Sequence, residues 1–177
     1  MNFDVIISRI LAAEGGYSNN ANDKGGETNF GITVAVARAN GYLGEMRDMP
    51  ESLARLIYLK RYVATPAFDR IAQINEKVGA ELIDTGVNMG PSVASTFFQR
   101  WLNAFNYRGP YQDVFVDGRI GSVTVEAFRA FMTWRGLPGE TAMLRGLNAL
   151  QGSRYLDIAE RDQNQRQFTF GWMNRLD

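Results

Sequence analysis

The sequence predicts a mainly α fold, a helical bundle around one central buried helix with a small irregular or β segment near the N-terminus. Apolar residues recur at helical spacing through most of the 177-residue chain. The widest apolar stripe lies between Pro91 and Phe105, which places the central buried helix there. Five of the 18 glycines fall within residues 14–31, so we expect an irregular or β segment over residues 17–32.

The first helix is predicted over residues 3–11. If it extends to Glu14, this carboxylate falls on the same face as Ile10 and Leu11 and lies at the negative end of the helix dipole. Burial and the dipole both disfavour the ionised form, as a general acid requires. The alternative is a solvated glutamate ahead of a glycine cap.

Three further features are predicted before the central helix. Thr33 is expected to cap a helix over residues 34–40. Asp48 and Glu51 form a capping-box pattern for a helix that runs to about Val63. On that helix we expect an inward stripe, with Tyr58 and Tyr62 at the edge of the core or along a sugar cleft. The inward positions are Met49, Leu53, Leu56 and Ile57.

The remaining helices are predicted from apolar spacing and glycine or proline breaks. An apolar segment covers residues 71–90. After the central helix, a structural turn at Asp117 and Gly118 leads into a helix capped by serine or threonine. That helix ends near residues 136–139, a final helix covers about 140–162, and the aromatic tail is expected to fold back over the core.

The chain is long enough for one compact unit with two regions. We predict a catalytic region over residues 1–90 and a helical C-terminal subdomain over residues 91–177, packed on it. The chemistry available is limited, because the chain has no histidine and no cysteine. Serine–histidine and cysteine–histidine nucleophiles and histidine-ligated zinc are therefore excluded, and we expect neither metal nor cofactor. Nineteen basic and 19 acidic residues cancel, which predicts no nucleic-acid partner.

The segment Glu14-Gly15-Gly16-Tyr17, with residues 23–32 (Asp-Lys-Gly-Gly-Glu-Thr-Asn-Phe-Gly-Ile), resembles the signature of glycoside hydrolase family 108. Its Glu, Asp and Thr are also similar to those of phage muramidases, in which the gap between Asp and Thr is one residue longer. Residues 117–121 resemble the turn of small peptidoglycan-binding modules. The resemblance implies a lysozyme-like catalytic region followed by a peptidoglycan-binding subdomain.

The resemblance also implies roles for individual residues. Glu14 would be the catalytic acid, with Asp23 and Thr28 as further catalytic residues and Glu27 as the other candidate for the second carboxylate. The substrate-binding residues would be Tyr17, Asn29, Phe30 and Asn88. For Asn88, a helix C-terminus before a proline-led helix explains the same residues equally well.

The expected function is hydrolysis of the β-1,4 bond between N-acetylmuramic acid and N-acetylglucosamine in bacterial peptidoglycan, as in a phage endolysin. Two alternatives stay open. A lytic transglycosylase needs only one acid/base glutamate and forms an anhydro product. A non-catalytic peptidoglycan-binding or secretion accessory protein needs no acid at all.

Location and partners follow from what the N-terminus lacks. It carries neither a basic segment nor an apolar core of signal-peptide type, so we expect synthesis in the host cytoplasm. Action in the periplasm or cell wall would then follow release, with a holin for access if the gene is phage-encoded. We expect peptidoglycan as the partner, a monomer, and no stable membrane association.

Overall fold

The computed structural model describes residues 3–19, 26–174 and 176, and within these residues the chain is mainly helical. The predicted fold class is confirmed, since eight α-helices and one two-stranded sheet are found in the described part. The chain divides into two compact units, Met1–Thr65 and Pro66–Asp177. The division that we expect after residue 90 stays a prediction.

The first unit packs three helices and a hairpin around a small apolar core. Ile7 and Leu11 of the first helix, Ile32 of the hairpin and Ile57 of the third helix are buried in this core. A 3₁₀ turn (Met46–Asp48) precedes the third helix, and a π-helical turn (Lys60–Ala64) follows it. The regular elements are α1 (Phe3–Glu14), β1 (Thr28–Asn29), β2 (Ile32–Thr33), α2 (Val34–Ala39) and α3 (Glu51–Leu59).

The start of α3 differs from the prediction, whereas that of α2 does not. The Thr33 hydroxyl accepts a hydrogen bond from the Val36 N–H at 3.3 Å, so the predicted cap is confirmed. Asp48 instead ends the 3₁₀ turn, and Pro50 precedes α3 without a side-chain cap. The reason is steric: the residue before a proline avoids the α conformation, so the helix begins after Pro50.

One expected core position of α3 is also wrong. Leu56 is 63% exposed, whereas the neighbouring Ile57 and Tyr58 are buried. The later start of α3 does not explain the exposure of Leu56, because it leaves the spacing of these residues unchanged. The apolar stripe is therefore narrower than predicted, and Leu56 lies on its solvent side.

The second unit is built around α6. Ala94, Phe98 and Leu102 of this helix are fully buried, which confirms the predicted central helix. The segment predicted over residues 71–90 is two helices, because the Asn75 side chain interrupts it and caps the second by accepting from the Val78 N–H at 2.9 Å. The helices are α4 (Phe68–Ile74), α5 (Glu76–Met89), α6 (Pro91–Ala104), α7 (Ser122–Arg161) and α8 (Arg166–Met173).

The longest helix, α7, contains the predicted break. Gly136 leaves helical geometry with φ 55° and ψ −140°, two residues before Pro138. The predicted serine or threonine cap is wrong, because Gly121 precedes the helix and Ser122 is already its first residue. The Asp117 carboxylate accepts hydrogen bonds from the Arg119 N–H and the Gln99 amide, both at 2.9 Å, as expected of a structural turn.

The C-terminal tail folds back through one aromatic contact. Trp172 of α8 stacks on Tyr155 of α7 with ring centroids 5.2 Å apart. Phe168 and Phe170 are exposed, so the tail covers less of the core than predicted. None of the helices in the described segments has both the length and the hydropathy needed to span a membrane.

Candidate active site

The site is formed around a tight hairpin. Thr28 pairs with Thr33 and Asn29 with Ile32, which leaves Phe30 and Gly31 as a two-residue turn. Both turn residues have positive φ, 51° and 69°, as type I′ hairpin turns require. Ser18 joins the hairpin through two backbone hydrogen bonds of 2.9 Å with Thr28. The predicted irregular or β segment is therefore confirmed for residues 17–19 and 26–32, and its residues 20–25 lie outside the described part of the chain.

Glu14 is the last residue of α1, and its carboxylate lies directly against the turn. A Cβ atom on Gly31 would come within 2.5 Å of Glu14 Oε2 and 3.0 Å of the Tyr58 hydroxyl oxygen. Only a glycine leaves this space open. Because Gly31 has no side chain, the Glu14 carboxylate and the Tyr58 hydroxyl can both approach the backbone at this point.

The prediction that Glu14 lies on the apolar face of the first helix is wrong. The helix does extend to Glu14, but its side chain is exposed and does not lie on the buried face. Leu11 is the last core residue of α1, and the chain turns away at Gly15, which has φ 77°. The carboxylate therefore touches the hairpin while remaining open to solvent and to a polymer.

Tyr58 is the residue of this site that sequence spacing treats only as a core-edge or cleft side chain. It is buried, stacks on Tyr62 at 5.5 Å, and donates a hydrogen bond to the Phe30 carbonyl at 3.1 Å. Burial raises the pKa of Tyr58 well above its usual range, and the negative charge of Glu14 raises it further. Tyr58 therefore stays protonated and holds the turn beside the acid.

Tyr17 and Glu27 form a second polar pair in this unit. The Tyr17 hydroxyl donates to Glu27 Oε1 at 2.6 Å, and the Arg47 guanidinium lies 5.4 Å from the Tyr17 ring centroid. Tyr17 is exposed, as a substrate-binding residue needs to be. Glu27 and Thr28 lie in the chain just before the turn of the hairpin. Asp23 lies outside the described residues.

The Asn29 side chain is hydrogen-bonded within the protein. It is only 4% exposed, and its side-chain amide donates to the Met46 carbonyl at 2.7 Å and to the Arg47 carbonyl at 3.4 Å. Both amide hydrogens are therefore used within the protein. These bonds position the hairpin on the 3₁₀ turn, and a contact of Asn29 with substrate stays a prediction.

The other implied substrate residues lie in different surroundings. Phe30 is half-buried and packs against the core of the first unit. Asn88 belongs to the second unit, near the end of α5, where its amide donates to Asp84 at 2.9 Å. Gly90 follows α5 and Pro91 begins α6, so the helix-end interpretation is confirmed. A contact of Phe30 or Asn88 with substrate stays a prediction.

The donor set offers no metal centre in the described residues. Nowhere among them do three or more carboxylate, histidine or cysteine side chains cluster so as to hold a metal ion. The chemistry that the site offers is therefore that of one carboxylic acid at a backbone turn, with a second carboxylate and a threonine in the same segment.

The sequence model named glycosyl hydrolase 108 matches residues 7–90, which include α1, the hairpin and α3. The chain is thus a glycoside hydrolase. Its residues 7–90 form the glycosyl hydrolase 108 region, and residues 93–177 match a second model described as a predicted peptidoglycan domain. Together the two matches make peptidoglycan the partner of this chain.

A solved structure supports the fold over nearly the whole chain. The structure of Brucella abortus SagA is similar with a TM-score of 0.57, covering 97% of this chain and 95% of that one. The two sequences are 22% identical, so the similarity concerns the fold. No curated protein matches the chain.

Proposed function

We propose that the enzyme is an N-acetylmuramidase that hydrolyses the β-1,4 bond between N-acetylmuramic acid and N-acetylglucosamine, with Glu14 as its general acid. The observation that carries this proposal is the place of the Glu14 carboxylate, at the exposed end of α1 and against the backbone of Gly31. An acid for a polymer must be reachable from solvent and still be held in one direction, and this position supplies both conditions.

In the proposed reaction, the protonated Glu14 carboxyl gives its proton to the glycosidic oxygen as the bond from that oxygen to the muramic C1 breaks. The positive charge that develops at C1 is removed by addition of a water oxygen. The water proton passes to a second carboxylate. The products are a reducing muramic end and a free 4-hydroxyl on N-acetylglucosamine.

We assign the second carboxylate to Asp23 rather than to Glu27. The Tyr17 hydroxyl already donates to Glu27 Oε1 at 2.6 Å, so this oxygen is engaged within the protein. Thr28 would help to orient that water through its hydroxyl. Tyr17 would contact the sugar from the same side of the hairpin.

The test is digestion of purified peptidoglycan by the wild type and by Glu14→Gln, with the products identified by mass spectrometry. We expect reducing muramic ends from the wild type and a loss of about 10²–10⁴-fold in their rate of release from the variant. Glu45→Gln is the matched control, because Glu45 is an exposed glutamate of the same unit.

Other products would replace the proposal with one of its alternatives. Anhydro-muramic ends would identify a lytic transglycosylase. Retained binding to the wall, with no products from the wild type, would identify a binding protein. Full activity of Glu14→Gln would remove Glu14 from the acid role.

A further inference from the structure

We propose that the C-terminal unit binds the peptide part of peptidoglycan in a cavity beside the break in α7, with Arg135 holding a peptide carboxylate. This inference rests on the proposed function because it takes peptidoglycan as the polymer. It adds which chemical part of that polymer the second unit recognises.

The cavity arises where α7 loses helical geometry. It measures about 250 Å³ and is lined by apolar residues and one arginine: Phe105, Phe131, Arg135, Pro138, Gly139 and Ala142. The rings of Phe105 and Phe131 stack 5.7 Å apart and form one of its walls. A Cβ atom on Gly139 would lie 2.5 Å from Arg135 Cβ and 3.2 Å from the Phe131 ring, so glycine leaves the wall free of a further side chain.

Arg135 is held in a defined position at this cavity. Its guanidinium carbon lies 3.6 Å from the ring centroid of Trp134, which is itself partly exposed. In the part of the chain that the structure describes, no carboxylate lies within ion-pair distance of Arg135. Asp113 accepts a hydrogen bond from Asn106, and its charge raises the pKa of Tyr111 whereas that of Arg135 lowers it.

These features select a small acidic ligand. A guanidinium stacked on an aromatic ring keeps its planar set of N–H donors for a carboxylate, which it binds through two parallel hydrogen bonds. The cavity is just below the usual range for ligand sites, about 300–1,000 Å³. It has room for a methyl-sized group beside that carboxylate and not for a disaccharide. Cell-wall peptides supply both, since they contain alanine and free carboxylates.

The experiment measures binding of the full chain to purified sacculi by co-sedimentation, in the Glu14→Gln background so that turnover does not remove the polymer. Adding Arg135→Gln is expected to weaken binding about tenfold, the order of a lost charge-assisted hydrogen bond. Arg129→Gln is the matched control. It lies on the same helix, is exposed, and has one ion pair of 3.5 Å, with Glu126.

Two further arms identify the chemistry. In the first arm, the carboxylates of the sacculi are converted to methylamides. The chain with Arg135 intact should bind these treated sacculi about tenfold more weakly than untreated ones. The Arg135→Gln variant should bind treated and untreated sacculi equally. Ala142→Trp, which fills the cavity, should also lose binding. Circular dichroism establishes that each variant is folded.

Equal binding of Arg135→Gln and Arg129→Gln would overturn the inference. Equal binding of the chain with intact Arg135 to native and methylamidated sacculi would also overturn it, because the carboxylate would then have no role. Product analysis of the wild type separates this result from the proposed function. Arginine-dependent binding without hydrolysis would sink the muramidase proposal and leave the peptide site standing.

Discussion

The Glu14 carboxylate and the Tyr58 hydroxyl both lie close to the position that a Cβ atom would occupy on Gly31. The carboxylate comes from the end of α1 and the hydroxyl from the last turn of α3, while the glycine belongs to the hairpin. Tyr58 also holds the turn by donating to the Phe30 carbonyl. Three separate elements therefore form the surroundings of the acid.

Gly31→Ala tests whether the missing side chain matters for the acid. The new methyl group would push on Glu14 Oε2 and on the Tyr58 hydroxyl, so we expect at least a tenfold loss of kcat, or about 1.4 kcal/mol in the activation barrier. Gly26→Ala is the matched control because Gly26 has the same φ, 69°, and open space around it. Equal losses of activity in the two variants would show that backbone strain alone is responsible.

Tyr58→Phe removes the hydroxyl and keeps the ring. We expect the free energy of unfolding to fall by about 1 kcal/mol, since the Phe30 carbonyl loses its donor. We also expect kcat to fall severalfold with little change in KM, because the turn beside Glu14 loosens. Tyr62→Phe keeps the stacked ring pair and should change neither quantity. A purely structural role for Tyr58 would lower stability and leave kcat unchanged.

Asn29→Asp tests the positioning role of this side chain. The substitution turns a donor into an acceptor that faces the Met46 and Arg47 carbonyls, so we expect a loss of about 1–3 kcal/mol in unfolding free energy, measured by urea denaturation. At a temperature where the variant remains folded, KM should equal that of the wild type. A raised KM with unchanged stability would instead return Asn29 to the substrate-binding residues.

The second unit contains a buried network that should make stability depend on pH. The Thr85 hydroxyl lies 3.1 Å from Glu81 Oε1 and 3.3 Å from the Gln151 carbonyl oxygen. It has one proton for these two acceptors and can donate to one of them at a time. Burial is the main reason that the pKa of Glu81 rises to about 7; the hydrogen bond from Thr85 opposes this rise, and the charge of Asp84 adds to it.

Glu81→Gln should remove this pH dependence. Because the folded state holds the Glu81 proton more tightly than the unfolded chain does, stability is greatest below the ordinary glutamate pKa of 4.5 and falls as pH rises through about 7. The wild type should lose at most about 3 kcal/mol from this group between those limits. Unfolding free energies at pH 5 and pH 8 check the difference, with the exposed Glu160→Gln as control. Parallel pH slopes for the wild type and Glu81→Gln would contradict the prediction.

Local signals predicted those parts of the fold that depend on local chemistry. The apolar stripe of α6, the cap at Thr33 and the break at Gly136 each arise from residues close together in the chain. Asp48 failed as a cap because the restriction imposed by Pro50 outweighs a capping pattern. Leu56 failed because spacing shows where a stripe lies but not how wide the partner surface is.

The site was predictable as a list of residues but not as an arrangement. Glu14 and the hairpin residues stand in one segment, so a motif can identify them. The role of Tyr58 depends on how α3 packs against the hairpin, which no spacing within either segment encodes. The hydrogen bonds of Asn29 could not be predicted for a similar reason, because its partners are carbonyls of a 3₁₀ turn that follows α2.

The end of α1 also sets which insertions and deletions this enzyme can tolerate during evolution. Glu14 follows the last core residue, Leu11, by less than one helical turn, and each helical residue advances the direction of a side chain by about 100°. One residue added between Leu11 and Glu14 would turn the acid away from Gly31 while leaving the core intact. We therefore expect insertions and deletions in active homologues to be absent from this interval, although they occur freely in exposed loops elsewhere.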